Sequence, residues 1–285
     1  MTPKFAAVKS LDGFDESVSP HWLMIGLNTE KSVMLTGGNQ LAVKVRRADI
    51  AEITNDVVES ATLQQRIITI KGKRKGTTFV DVFDGNIRKT TLEICIKSRR
   101  EILVSFHYVH DNAGHGTVRN SSNLLQWLDT INNKVFLPQA NVFVQLGIVN
   151  DPLKINRNLG DVVRDTSSYP NIPKSEHETD EILAHRDKAA QMNVFFVTNI
   201  EHGEDPKKNL IAGVQYEKGI FIDDNINTVS PLATIENVLA HEIGHYLGVG
   251  GESHFYKKAN IKGLMYYKAR GGLLIPKVHA NMINR

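Results

Sequence analysis

The chain has 285 residues, 41% of them hydrophobic and 23% charged, and a formal net charge of +3. Its length exceeds one average domain and suits two, and its composition excludes disordered and collagen-like classes. No uninterrupted apolar run approaches the length of a transmembrane helix, so no membrane span is expected. The opening MTPKFAAVKSLDGFDES carries only four apolar residues between Lys4 and Lys9. That is shorter than a signal-peptide core, so no ordinary Sec leader is expected. The densest basic cluster, Lys71, Lys73, Arg74 and Lys75, lies between two strand-like runs and reads as a solvated turn. No nucleic-acid partner is expected from so small and scattered an excess of positive charge.

Residues 32 to 97 read as short strands. SVMLT, LAVKVR, RIITIK, TTFVDV and KTTLEICIK are rich in Val, Ile and Thr, and several alternate apolar with polar residues. Gly37-Gly38-Asn39, the stretch Gly72 to Gly76, and Asp84-Gly85-Asn86 supply the breaks. Strands at this spacing predict a small β-sandwich, and the run loosely resembles bacterial immunoglobulin-like modules. The single cysteine, Cys95, falls in one of these strands and reads as a buried structural thiol.

A polar seam at Ser98-Arg99-Arg100-Glu101 precedes a change of pattern. ILVSFHYVH and NVFVQLGIV read as strands. Asn123 to Phe136 reads as an amphipathic helix through Leu124, Leu125, Leu128, Ile131 and Val135. Residues 150 to 180 look like a loop. A short helix over 181–191, the strand NVFFVTNI and a hairpin from AGVQY to GIFID follow. The mixture predicts an α+β domain, with the boundary near residue 100: 1–100 a β-sandwich, 101–285 the second domain. Trp22 and Trp127 read as core or domain-packing residues. His107, His110, Asp111 and His115 cluster in FHYVHDNAGHG, where the histidines read as surface or loop residues. Asp223-Asp224-Asn225 reads as a polar turn rather than a calcium loop, because it lacks the spaced acidic alternation and glycine of one.

The chemically informative stretch is SPLATIENVLAHEIGHYLG, residues 230 to 248. Ser230 suits an N-cap, Pro231 a first helical position, and Gly248 a left-handed C-terminal cap. Leu232, Ile235, Val238, Leu239, Ile243 and Leu247 recur at helical spacing. His241 and His245 are therefore expected one turn apart on the same face, about 40° from each other, where two imidazoles can reach one metal ion. Glu242, about 100° round the helix from His241, can reach a water on that ion.

This pattern, His-Glu-x-x-His with Gly248 and the downstream Gly263-Leu264-Met265-Tyr266-Tyr267, resembles the metzincin zinc peptidases and their Met-turn. Together with the Ig-like strand pattern of the first hundred residues, the resemblance implies a multidomain chain, an N-terminal all-β Ig-like sandwich followed by an α+β metzincin-like zinc peptidase domain. It implies a Zn2+ cofactor held by His241, His245 and a third ligand, with Met265 as an apolar floor beneath the metal. Metzincins place their third histidine three residues after the glycine, where this chain has Gly251. A longer loop delivering His254 is the expectation, because a catalytic zinc needs three protein ligands, and Glu252 is the alternative. Glu242 is expected as the general base for a zinc-bound water attacking a peptide carbonyl. Tyr267 matches a tyrosine that some metzincin branches set near the metal, as a transition-state donor.

The expected function is that of a zinc-dependent metalloendopeptidase acting on a protein or peptide substrate. The modules and the missing leader also resemble metallopeptidase effectors that bacteria deliver through specialised secretion machines. That resemblance implies a cognate inhibitor or immunity protein. The alternative is a non-catalytic binding or zinc-sequestering protein that uses the Ig-like module for adhesion.

Overall fold

Period-two alternation dominates the fold. In Gln65–Gly72 the odd and even residues divide into a buried row containing Ile68 and Ile70 and a row that is only half-buried. A computed structural model describes residues 2–37, 40–164, 178–201, 213–216, 219–226, 234–249, 263–265 and 272–285. The chain divides into two units. The first comprises Met1–Arg100 with Asn133–Phe143 and Leu274–Arg285, and the second comprises Glu101–Asn132 and Val144–Leu273.

The first unit contains Lys4–Ala7 (β1), Phe14–Asp15 (β2), His21–Gly26 (β3), Glu30–Thr36 (β4), Ala42–Val45 (β5), Ala51–Ser60 (β6), Gln65–Gly72 (β7), Gly76–Asp84 (β8) and Ile87–Lys97 (β9). They form two sheets, in the orders β1-β4-β7-β6 and β2-β3-β9-β8-β5. Leu35, Val33, Ile68 and Ile70 from one sheet join Leu23, Ile25, Val80, Val82, Leu92 and Ile94 from the other in a single apolar cluster. All pairings described in these sheets are antiparallel except β3 with β9, which run parallel. The C-terminal helix Lys277–Ile283 belongs to this unit. Its first N–H, from Lys277, donates to Asp15 at 2.9 Å, and the Lys277 ammonium reaches Glu93 at 2.6 Å. At its other end Lys97 donates to Asn284 O at 2.6 Å, supplying a cation where the helix leaves carbonyls unpaired. Lys31 is equally enclosed, donating to Asp12 O at 2.8 Å and to Pro138 O.

The second unit contains strands within Arg100–His110 (β10), Val142–Lys154 (β11), Val163–Arg164 (β12), Met192–Val197 (β13), Ile200–Glu201 (β14), Gly213–Tyr216 (β15) and Gly219–Asp223 (β16). Its main sheet has the order β11-β10-β13-β16-β15. β10, β13 and β16 run parallel, and β15 closes the edge antiparallel to β16. β13 is buried along its whole length, as a central strand covered on both faces must be. Rings stack across these strands, His107 on Phe195 and Phe195 on Phe221, with centroids 4.6 and 5.3 Å apart.

The expected sequel to the β-sandwich, an α+β metzincin-like domain, is corrected by this architecture. Among the described residues strands make up 46% and helices 21%, so β-structure in several sheets with few helices describes them. Two local readings underestimated the strands and overestimated the helices. β11 continues through Lys154 into the segment expected as loop. The expected 123–136 helix is a succession of short pieces, with α-helix only at Leu124–Thr130 before a π-helical turn at Ile131–Phe136. Leu125, expected on its apolar face, is 69% exposed. The short helix expected at 181–191 runs from Glu178 to Ala184. Among the described residues no helix is long and apolar enough to cross a membrane.

Candidate metal centre

Ile235–Tyr246 forms the helix that carries both histidines. Its N-cap is Thr234, whose hydroxyl accepts from Asn237 N–H, and not the expected Ser230, which lies with Pro231 and Leu232 outside the described residues. Ile235, Val238, Leu239, Ile243 and Leu247 are buried. The C-terminal end closes as a Schellman turn. Gly248 takes a φ of +99° and donates to His245 O at 2.9 Å, while Val249 N–H donates to Gly244 O at 3.1 Å. A residue with a Cβ would be strained at that φ, which explains glycine at 248.

This turn also builds the site. It brings Val249 O within 2.9 Å of His245 Nδ1. From the segment Gly263–Met265, Leu264 O lies 2.8 Å from His241 Nδ1. A backbone carbonyl can only accept, so each Nδ1 carries the proton and donates. The Nε2 atoms of His241 and His245 then face each other 3.0 Å apart, with the rings at 87°. Burial, and next the neighbouring His245, lowers the His241 pKa to about 4, so this ring is neutral near pH 7. A neutral imidazole that donates from Nδ1 has only a lone pair at Nε2, and two such lone pairs at 3.0 Å repel unless a cation or proton lies between them.

The fit to zinc follows from those distances. Two nitrogens each about 2.0–2.1 Å from one zinc at a tetrahedral angle stand about 3.3 Å apart, close to the separation here. Histidines that hold a metal characteristically donate their other ring N–H to a carbonyl or carboxylate, which is the role of Leu264 O and Val249 O. Among the described residues no group of three His, Cys, Asp or Glu side chains converges. The expected third ligands, His254 and Glu252, lie outside the described residues, as does Tyr267.

Glu242 is buried beside the edge strand. A Cβ placed on Gly213 of β15 would lie 3.0 Å from Glu242 Cγ and 3.2 Å from Oε1, so the glycine backbone sits directly against this side chain. Burial raises the Glu242 pKa to about 8. On the helix's other flank, a Cβ on Gly244 would come within 2.6 Å of Met265 Sδ. The sulfur therefore lies under the turn between the two histidines, and Met265 itself is buried.

The side chains of His107, Asp111, Asp223 and Asp224 in the second unit are hydrogen-bonded. His107, expected at the surface or in a loop, is completely buried. Its ring is bonded on both sides, Nε2 to Asn193 Oδ1 at 2.8 Å and Nδ1 to Asn150 Nδ2 at 2.9 Å. Burial lowers its pKa, consistent with a neutral ring. Ser105 Oγ donates to Asp187 at 2.7 Å, so serine, histidine and aspartate are near one another without a Ser–His bond. That is a structural network rather than a nucleophile and its base. Asp111 is the hub of its loop, accepting from Ala113, His115 and Leu159 N–H groups and from the His115 ring. Asp223 accepts from Ile200 N–H at 2.9 Å and from Asn225 N–H, and Asp224 accepts from Thr117 Oγ1 at 2.6 Å and Val118 N–H at 2.8 Å. These carboxylates hold backbone in place, as a polar turn does. In the first unit Cys95 is half-buried, and burial raises its thiol pKa.

No protein-family profile and no curated protein sequence matches the chain. Among solved structures it is similar to domains 5-6 of the S-layer protein SbsC, at 10% identity and a TM-score of 0.22, over 25% of this chain and 38% of that one. For SbsC domains 4 and 5 the figures are 11% and 0.23, over 33% and 53%. For Amebosin they are 15% and 0.20, over 29% and 94%. The chain thus spans 38% and 53% of the two S-layer structures. Superpositions this partial bear on neither the fold nor the function.

Proposed function

We propose that the chain is a zinc-dependent metallopeptidase that hydrolyses peptide bonds. The reading is carried by one observation: His241 and His245, held at Nδ1 by Leu264 O and Val249 O respectively, turn their Nε2 atoms toward each other 3.0 Å apart. His241 and His245, with His254 or Glu252 completing the set, would hold a zinc ion, which would act as a Lewis acid and make a bound water acidic near neutrality. Glu242, one residue on from His241, would act in its ionised form, taking the proton as the water attacks a peptide carbonyl and returning it to the leaving amine. Gly213 leaves room for that carboxylate to move between the two positions, where any larger residue would press on it. Tyr267 is assigned a hydrogen bond to the developing oxyanion.

The test is the full chain with Glu242→Gln, assayed for peptide hydrolysis and for zinc content together. Hydrolysis falls by about 10²–10⁴-fold, the usual worth of a general base, while zinc content is unchanged. Undiminished turnover removes Glu242 as the base, and a wild-type chain that binds zinc without hydrolysing any peptide leaves only the binding or sequestering role. A second comparison decides the third ligand: His254→Ala lowers zinc content far more than Glu252→Ala, and the opposite ranking transfers the role to Glu252.

A further inference from the structure

The first unit carries a groove of about 680 Å³ that the peptidase reading does not use. Lys4, Arg46 and Arg88 line it, together with His21, Thr90 and the ring of Phe79, and no carboxylate is among its lining residues. The three cations differ in how they are held. Arg46 is fixed in a two-point pair with Asp81, Nε to Oδ2 at 2.6 Å and Nη2 to Oδ1 at 2.9 Å. Its guanidinium lies 4.4 Å above the centre of the Phe79 ring. Asp81 is itself buried and takes a further hydrogen bond from Thr91 at 2.6 Å. Lys4 approaches Glu16 only at 3.9 Å, with both side chains more than half exposed, a contact of little energetic weight. The Arg88 guanidinium forms no salt bridge or hydrogen bond among the described residues. The groove thus has one cation, Arg46, already paired to Asp81, while Lys4 and Arg88 line it without a close ion pair, Arg88 feeling Asp81 only at a distance.

We infer that this groove binds an anionic saccharide, a hydroxyl-bearing ring carrying a phosphate or carboxylate group. The volume falls within the range of small-ligand sites and is far larger than an inorganic anion needs. Arg88 and Lys4 supply the charge-assisted donors for the anionic group. The Thr90 hydroxyl and the donors left free on Arg46 face the ring hydroxyls, each of which both donates and accepts. A nucleotide fits less well, because the Phe79 face that a base would stack on is occupied by Arg46.

The experiment is calorimetric titration of the full chain with four probes: glucose 6-phosphate, glucuronate, glucose and inorganic phosphate. At least one of the two anionic sugars binds about tenfold or more tightly than both glucose and inorganic phosphate, and their relative affinities show whether phosphate or carboxylate is preferred. Arg88→Ala, a change at an exposed position, weakens that binding by about tenfold with an unchanged thermal midpoint. Thr90→Val weakens the sugar while leaving inorganic phosphate unaffected. The inference is overturned if glucose binds as tightly as the charged sugars, if inorganic phosphate does, if Arg88→Ala changes nothing, or if none of the probes binds at millimolar concentration. It is also overturned if a short polyglutamate peptide displaces the sugars at equal concentration, since the groove would then be an acidic-peptide site.

Discussion

The two units treat buried charge in opposite ways. In the first, each enclosed cation meets its counterpart: Arg66 pairs with Asp56 and donates to Leu41 O at 2.7 Å, and Lys31 and Lys97 each reach backbone carbonyls. In the second, the helix Ile235–Tyr246 brings two imidazole nitrogens and a buried carboxylate together with no opposing group among the described residues. His107 and Asp223 in the same unit, by contrast, each have hydrogen-bond partners. The contrast separates polar groups that hold a fold from polar groups that wait for something, because burial without a partner is costly and persists where function needs it.

Three measurements sharpen or break that comparison, beyond those on Glu242 and the third ligand. The largest effect on stability is expected in the first unit. Arg66→Ala strands Asp56 and Leu41 O, and lowers the unfolding free energy by about 2 kcal/mol in urea titration. A change within about 0.5 kcal/mol would mean that this pair is no more than a surface contact. The next effect tests the floor of the metal centre. Gly244→Ala gains helix propensity of about 1 kcal/mol but forces a Cβ towards Met265 Sδ, at an overpacking cost of about 1–3 kcal/mol. The thermal midpoint falls, and in a double-mutant cycle the penalty disappears on a Met265→Ala background, where the sulfur is gone. Additive effects would place Met265 away from that turn.

The smallest effect concerns pH. Burial raises the Asp223 pKa to about 6, above its unfolded value of about 3.9. The folded chain therefore holds this proton more tightly than the unfolded chain. Its contribution to stability is full below about pH 4 and is lost as pH rises through about 6. Urea midpoints measured from pH 4 to 7 show this decline in the wild type, and Asp223→Asn flattens it. An identical slope in both proteins would assign the pH dependence to other groups.

What the sequence discloses and what it withholds divide along the range of the interactions. The helix bearing His241, Glu242 and His245 is legible because its signals are local: apolar residues at helical spacing and a glycine where φ turns positive. The strands β7 to β9 are legible by period two in the same way. The carbonyls that orient the two imidazoles are not, since Leu264 lies 23 residues from His241 and nothing in the residue type announces a backbone acceptor. The burial of His107 was equally hidden. Alternation along β10 tells which residues share a face, but both faces of a central parallel strand are covered, and only its neighbours reveal that. The overestimate of helix has a similar source, because Leu125 fits a helical stripe whether or not anything lies against it.

The first unit is assembled from three separate stretches of chain, and this has a consequence for its biosynthesis. Lys97 needs Asn284 O, and Lys31, though it reaches Asp12 nearby, takes its second acceptor from Pro138, so these enclosed ammonium groups are not fully partnered until residues far downstream arrive. An emerging polypeptide cannot finish that unit vectorially, from its beginning, but must keep it ajar until residues 274–285 have been made. A protease cut after Arg100 would for the same reason release a fragment whose interior still lacks its last pieces.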